Sequence, residues 1–294
     1  MSQPRRGEPA ARLRSRSVMA GEAAAASAEV EASLLTPPDS SAAAFFDVDN
    51  TVMQGASLFH LARGLHRREF VTTRDILRAA RDQTYFRIMG VEDPDAVAHA
   101  RASALLFIAG HRVEELESLG EEIFDEAMAH RIWPGTRALA QLHLDQGQRV
   151  WLVTAAPLEI ARIIAHRLGL TGALGTIAEQ VGGVYTGRLV GDLLHGPAKA
   201  VAVQALAVRE GLDLARCAAY SDSYNDRPML EMVGQPCAIN PDGRLLDHAR
   251  RNGWRVRDYR TGRKAARLGL LAAGAAGAAA GGVAAAVSLR RKVH

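Results

Sequence analysis

Short apolar runs separated by helix-length stretches constrain this chain more than any other feature. The first run, AAAFFDV from Ala42, is apolar along both faces and ends in acids, as a central parallel strand does when it delivers side chains to its carboxyl end. After WPG at 133–135 the alternation becomes regular: a helix (TRALAQLHLDQ), a strand (RVWLVTA), a helix (PLEIARIIAHRLGL), and a strand with a Gly-rich hairpin (LGTIAEQVGGVYTGRLV). A helix (PAKAVAVQALAVRE), a strand (CAAYSDS), a helix (NDRPMLEMVG), a strand (PCAIN), a helix (GRLLDHARRNG) and a short strand (WRVRDY) complete it. Strands joined by helices of this length predict an α/β fold, a doubly wound parallel sheet covered on both faces through right-handed crossovers. Open sheets of this kind bind ligands beyond the carboxyl ends of their strands.

Residues 56–133 break the rhythm and read as helices only. LFHLARGL places Leu58, Leu61, Ala62 and Leu65 at helical spacing, Thr72 or Thr73 can cap a second helix, and Asp93 before Pro94 has the signature of a third. VEELESLGEEIFDEAMAH makes a fourth with an acidic outer face. The predicted organisation is a core of residues 41–55 and 134–260 with an all-helical insert at 56–133.

The two ends differ in character. Residues 1–40 combine Pro, Ser, Ala and charge with low hydrophobicity, which predicts a disordered tail; Glu22, Glu29 and Glu31 interrupt the alanines, so no secretory signal is read there. Residues 261–294 hold an Ala/Gly-rich hydrophobic segment, 268–289, between basic clusters. The segment has the length of a membrane-spanning helix, about 20 residues, but its Ala and Gly make insertion only marginally favourable. Two readings stay open, a membrane anchor and a flexible tail. In either case the folded part is placed in the cytoplasm, at the face of the membrane if the segment anchors it.

Composition narrows the class. With 48% hydrophobic residues in 294, the chain can bury a full core. The net charge of +4 is basic, but many arginines sit in the tails, aromatics are 5%, and no recognised nucleic-acid-binding motif occurs, so nucleic acid is set aside as a partner. Cys217 and Cys237 each lie in a short apolar run without ligand spacing and read as buried core residues.

Polar groups gather at the strand ends. Asp47 and Asp49, two residues apart past the first strand, reach one crevice if the chain turns there; read alone, the string also suits an Asx-turn. Thr154 ends the second strand ahead of a helix start, where a hydroxyl and free N–H groups suit a phosphoryl oxygen. Lys199 sits in the first turn of a helix, where a cation is disfavoured unless an anion compensates. Asp222, Asn225 and Asp226 follow a third strand and offer hard oxygen ligands suited to Mg²⁺.

The order Asp-x-Asp, Thr, Lys, Asp resembles the haloacid dehalogenase (HAD) superfamily. The YSDSYNDRPML string and the helical insert resemble its phosphoserine-phosphatase-like branch, subfamily IB, over about residues 43–258. The resemblance implies a Rossmann-like HAD core with the insert as a cap, and a Mg²⁺-dependent phosphatase acting on a small phosphorylated substrate through a phospho-aspartyl intermediate. It implies Asp47 as nucleophile, Asp49 as general acid and base, and Thr154 and Lys199 as phosphate holders. Metal ligands are Asp47, the Asp49 carbonyl and Asp222, with Asn225 and Asp226 in support. Phosphoserine phosphatases carry a Glu nine residues after the nucleophile for the substrate ammonium; this chain has Ala56. Transfer of the phosphoryl group to an acceptor other than water, and a membrane-tethered binding role on an inactive phosphatase fold, are the alternative readings.

Overall fold

A computed structural model of the chain describes residues 38–71 and 108–260. Of the tail read as disordered, residues 1–40, positions 1–37 lie outside the described residues, as do the helices capped at Thr72 or Thr73 and at Asp93 and the hydrophobic segment 268–289; at the described end of that tail the Asp39 N–H donates to the Gln146 carbonyl at 3.1 Å. Among the described residues no helix is long and apolar enough to cross a membrane.

Strands β1 (Ala43–Phe46), β2 (Arg149–Pro157), β3 (Gly172–Thr176), β6 (Ala218–Ser221), β7 (Gln235–Ile239) and β8 (Arg255–Arg257) form a six-stranded sheet in the order β3-β2-β1-β6-β7-β8. Every pairing in it is parallel. The strand AAFF is buried throughout because it is central, and alternate side chains enter opposite layers. Ala44 and Phe46 join a core with Leu152, Tyr220, Ile160 and Ile164. Ala43 and Phe45 join the other with Ala219, Val203, Met229 and Leu245. Cys217 and Cys237 are buried, each in one of these layers, as their apolar surroundings predict.

Helices α1 (Ser57–Arg67), α2 (Val113–Ile123), α3 (Pro134–Asp145) and α4 (Leu158–Arg167) contribute to the first layer, and α5 (Pro197–Glu210), α6 (Arg227–Glu231) and α7 (Gly243–Arg251) to the second. The order of the strands reverses at β1: β2 and β3 lie on one side of it, β6 to β8 on the other. The crevice at their carboxyl ends is therefore the topological switch point.

Two features depart from a plain strand-helix reading. The stretch expected as one helix through His130 is α-helical only to Ile123; it widens into a π turn over Phe124–Met128 and tightens into a 3₁₀ turn over Ala129–Arg131. The Gly-rich hairpin, β4 (Ala178–Val181) and β5 (Val184–Leu189), forms its own antiparallel pair. Its turn uses Gly182 and Gly183 at φ 59° and 77°, the left-handed geometry that two-residue hairpins require. Its outer edge is taken by residues 110–113: Gly110 N donates to the Tyr185 carbonyl at 2.8 Å, and Val113 N to the Gly183 carbonyl at 3.0 Å. The insert is thus tied to the hairpin by backbone bonds and to the sheet layer by apolar contacts. Close approach is needed both within the insert, where a Cβ at Gly64 would fall 2.5 Å from Ile123, and against α4, where one at Gly120 would fall 2.8 Å from Ile163.

Candidate active site

Asp47 is the first residue past β1, and its N–H donates to the Tyr220 carbonyl at 2.9 Å, carrying the strand pairing one residue further. A tight turn follows. The N–H groups of Val52 and Met53 both bond to the Val48 carbonyl, and Asn50 takes a positive φ of 59°, a conformation Asn tolerates better than most residues. Asn50 is held there from two sides: its side chain accepts from Gly55 N at 3.0 Å, and its carbonyl accepts from Asn240 Nδ2 at 2.9 Å. The turn sends Asp49 towards the start of α1, where its Oδ1 accepts from both the N–H of Ser57 at 2.8 Å and the hydroxyl of Ser57 at 2.6 Å.

Lys199 reaches Asp47 from the first turn of α5. Its Nζ donates to Asp47 Oδ1 at 2.5 Å and to Asp226 Oδ2 at 2.7 Å, and Asp226 accepts a further bond from Ser221 Oγ at 2.7 Å. Lys199 is 3% exposed and Asp47 5% exposed, so this chain of contacts is shielded from solvent screening. The helix-dipole misfit noticed in the sequence has its compensation in these two carboxylates. Burial works against the Lys199 charge, but Asp47 and Asp226 outweigh it and hold the ammonium above its ordinary range. Burial pushes Asp47 up to about 8 against the pull of Lys199, with Asp226, Asp222 and Asp49 adding to the rise. Asp222, directly after β6, is raised to about 7 by burial and then by Asp226.

The other expected residues take less central places. Thr154 is buried near the end of β2, and its Oγ1 accepts from Ala156 N at 3.1 Å, shaping the turn into α4. The register Phe46↔Leu152 sets Thr154 at the same end of the sheet as Asp47 and Asp49. Asn225 is exposed on the 3₁₀ turn Tyr224–Asp226, so of the two supporting residues it is Asp226 that faces Lys199. Ser57 and Ser221, which contact the expected acids directly, carry no signal in the sequence beyond lying near a helix start and a strand end.

The donor set fits a hard divalent cation. Asp47 and Asp226 share the Lys199 ammonium, and Asp47 and Asp222 are raised first by burial and then by the acids around them. Among the described residues no three His, Cys, Asp or Glu side chains converge as a metal cage. Mg²⁺ asks for less, one or two carboxylates with water and substrate oxygens completing its shell. Asp47 and Asp222 would supply two, and the Asp49 carbonyl lies in the same turn as Asp47.

Similarity to known proteins points the same way. Residues 44–231 match the family model described as haloacid dehalogenase-like hydrolase. The protein called phosphoserine phosphatase SerB1 in Mycobacterium tuberculosis is 58% identical over 255 residues, covering 87% of this chain and 83% of that one. A Bordetella pertussis protein of unknown function, solved as a crystal structure, superimposes with a TM-score of 0.66 at 28% identity over 76% of this chain and 99% of its own. The fold is shared with a phosphoserine phosphatase solved as a phospho-aspartyl intermediate analogue, TM-score 0.50 at 18% identity over 76% and 97% of the two chains. From its parallel sheet, its switch-point carboxylates and these matches, the chain belongs to the haloacid dehalogenase-like hydrolases, on their phosphoserine-phosphatase-like side.

Proposed function

We propose that this enzyme hydrolyses a small phosphomonoester in a Mg²⁺-dependent reaction that passes through a phosphorylated Asp47. The observation that carries the reading is the buried contact of Asp47 with Lys199 at 2.5 Å, at the mouth of β1, with Asp49 two residues on. A carboxylate approaching a phosphate dianion meets repulsion, and the Lys199 ammonium offsets part of it in a site where low dielectric strengthens the effect. Asp47, the Asp49 carbonyl and Asp222 would hold Mg²⁺, which would supply further positive charge to the phosphoryl oxygens.

Asp47 attacks phosphorus in line while the bond to the leaving oxygen breaks, and Asp49 hands that oxygen a proton. Water then opens the acyl phosphate, with Asp49 taking the proton back. Thr154 and the start of α4 hold phosphoryl oxygens, Asp226 keeps Lys199 aimed at Asp47, and Asn225 stands at the rim in support. The helical insert, residues 56–133, serves as the cap that covers the site and reads the leaving group.

The relative called a phosphoserine phosphatase makes phosphoserine the first substrate to try. Ala56 offers no charge to its ammonium, so other small phosphomonoesters belong beside it. The test is phosphate release by the full chain with and without Mg²⁺ on phosphoserine, phosphoethanolamine, sugar phosphates and lysophospholipid phosphates. Turnover that needs Mg²⁺ and disappears in Asp47→Asn is expected; an Asp47→Asn protein with near-normal rates would overturn the nucleophile.

A further inference from the structure

We infer that Ser57 is the residue that positions Asp49 for proton transfer to the leaving group, an inference that rests on the phosphatase reading above. Ser57 is the first residue of α1 and has 0% exposure. The residue before it, Ala56, lies in an extended conformation and makes no side-chain cap, so the helix start relies on a group from elsewhere. That group is Asp49, eight residues back in the chain, and both hydrogen bonds described for its carboxylate fall on the same oxygen, Oδ1.

Loading one oxygen twice has a chemical consequence. With Oδ1 committed to the Ser57 N–H and hydroxyl, the plane of the carboxyl group is fixed and Oδ2 is the oxygen left to carry a proton. The transfer is then defined: as Asp47 forms its bond to phosphorus, the electron pair of the breaking P–O bond stays on the leaving oxygen, and that oxygen takes the proton from Asp49 Oδ2. Placement within a fraction of an ångström matters here, since a 1 Å error in a reacting group can cost about 100-fold in rate. Because Ser57 belongs to the insert and Asp49 to the core, the bond also couples the acid to the first helix of the cap.

An ester whose leaving group departs without a proton separates this role from simple helix capping. The experiment compares kcat/KM of the unmodified chain, Ser57→Ala, Ser57→Cys and Ser57→Thr on p-nitrophenyl phosphate and on the alkyl ester of the panel that is turned over fastest, with melting temperatures alongside. Ser57→Ala is expected to lose about 10- to 100-fold more on the alkyl ester than on the aryl ester, mainly in kcat. Ser57→Thr should recover most of the difference. Ser57→Cys keeps the volume without a strong donor and should share the bias of Ser57→Ala, which maintains the test if the alanine protein melts. Equal losses on the two esters, or no loss on either, would overturn the inference while leaving the phosphatase reading in place. An unmodified chain that turns over neither ester would remove both.

Discussion

Asp47 and Asp49 are separated by one residue, yet they belong to different mechanical systems. Asp47 is held from the core: its backbone continues the β1–β6 pairing, and its carboxylate meets Lys199 from α5, which in turn meets Asp226. Asp49 is held from the insert, through Ser57 at the start of α1. On the proposed mechanism, the side of the crevice that handles phosphorus is built from strand ends and a helix of the core, and the side that handles the leaving oxygen hangs on a helix of the insert. Such a division lets the leaving-group side change with the insert while the phosphoryl chemistry stays constant.

The largest effect that tests the division lies on the core side. Lys199→Met removes the ammonium that contacts Asp47 and Asp226, and a donor aimed at developing charge is worth about 10²- to 10³-fold in kcat. That loss should be similar for aryl and alkyl esters, because Lys199 acts at phosphorus and not at the leaving oxygen. A strong preference of the variant for one ester class in steady-state assays would break the comparison.

A smaller effect is expected on the insert side. Gly64 sits on α1 with Ser57, and a Cβ there would meet Ile123 Cγ1 at 2.5 Å. Gly64→Ala must push α1 away from α2, an overpacking that costs about 1–3 kcal/mol. The helix that moves also carries Asp49's partner, so the variant should melt earlier and lose alkyl-ester turnover more than aryl-ester turnover. Unchanged ester selectivity beside a lowered melting temperature would detach the acid from the insert.

How much of this was legible in the sequence depends on whether a residue's role is set locally. Asp47, Asp49, Thr154, Lys199 and Asp222 could be placed because each lies at a strand end or a helix start, positions that the apolar periodicity marks. Asp226 follows from the same turn. Ser57 and Ser221 could not be assigned, since a hydroxyl near a helix or strand end is common and its partner is decided by the turn at Asn50 and by the packing of α1. The docking of residues 110–113 on the hairpin edge was equally hidden: it is a set of backbone bonds between segments some seventy residues apart, and backbone bonds leave no mark on side-chain pattern. The π turn after Ile123 has no signal in FDEAM that we can name.

The smallest expected effect belongs to the floor of the core and should leave ester selectivity untouched. His143 of α3 is half-buried against β1 and β6, with Nε2 2.7 Å from the Tyr220 hydroxyl and Nδ1 2.6 Å from Gln148 Oε1. Nδ1 donating to the amide oxygen and Nε2 accepting from the phenol make a consistent neutral ring, and Phe46 closes over it edge-on at 6.2 Å. Burial lowers the His143 pKa below 6.5, with the bond to Gln148 opposing. The unfolded chain therefore binds a proton more readily than the folded one, so stability is complete above about 6.5 and falls as pH drops below it. The slope from this one group cannot exceed about 1.4 kcal/mol per pH unit. The urea midpoint at pH 7.5 minus that at pH 5.5 should be larger in the unmodified chain than in His143→Gln, which cannot titrate, on top of the opposite trend that the raised Asp47 and Asp222 give both proteins. Because His143 touches neither Asp49 nor Ser57, the ratio of alkyl- to aryl-ester kcat/KM at pH 7.5 should be the same in both proteins, and a changed ratio would mean that the two sides of the crevice communicate through β1.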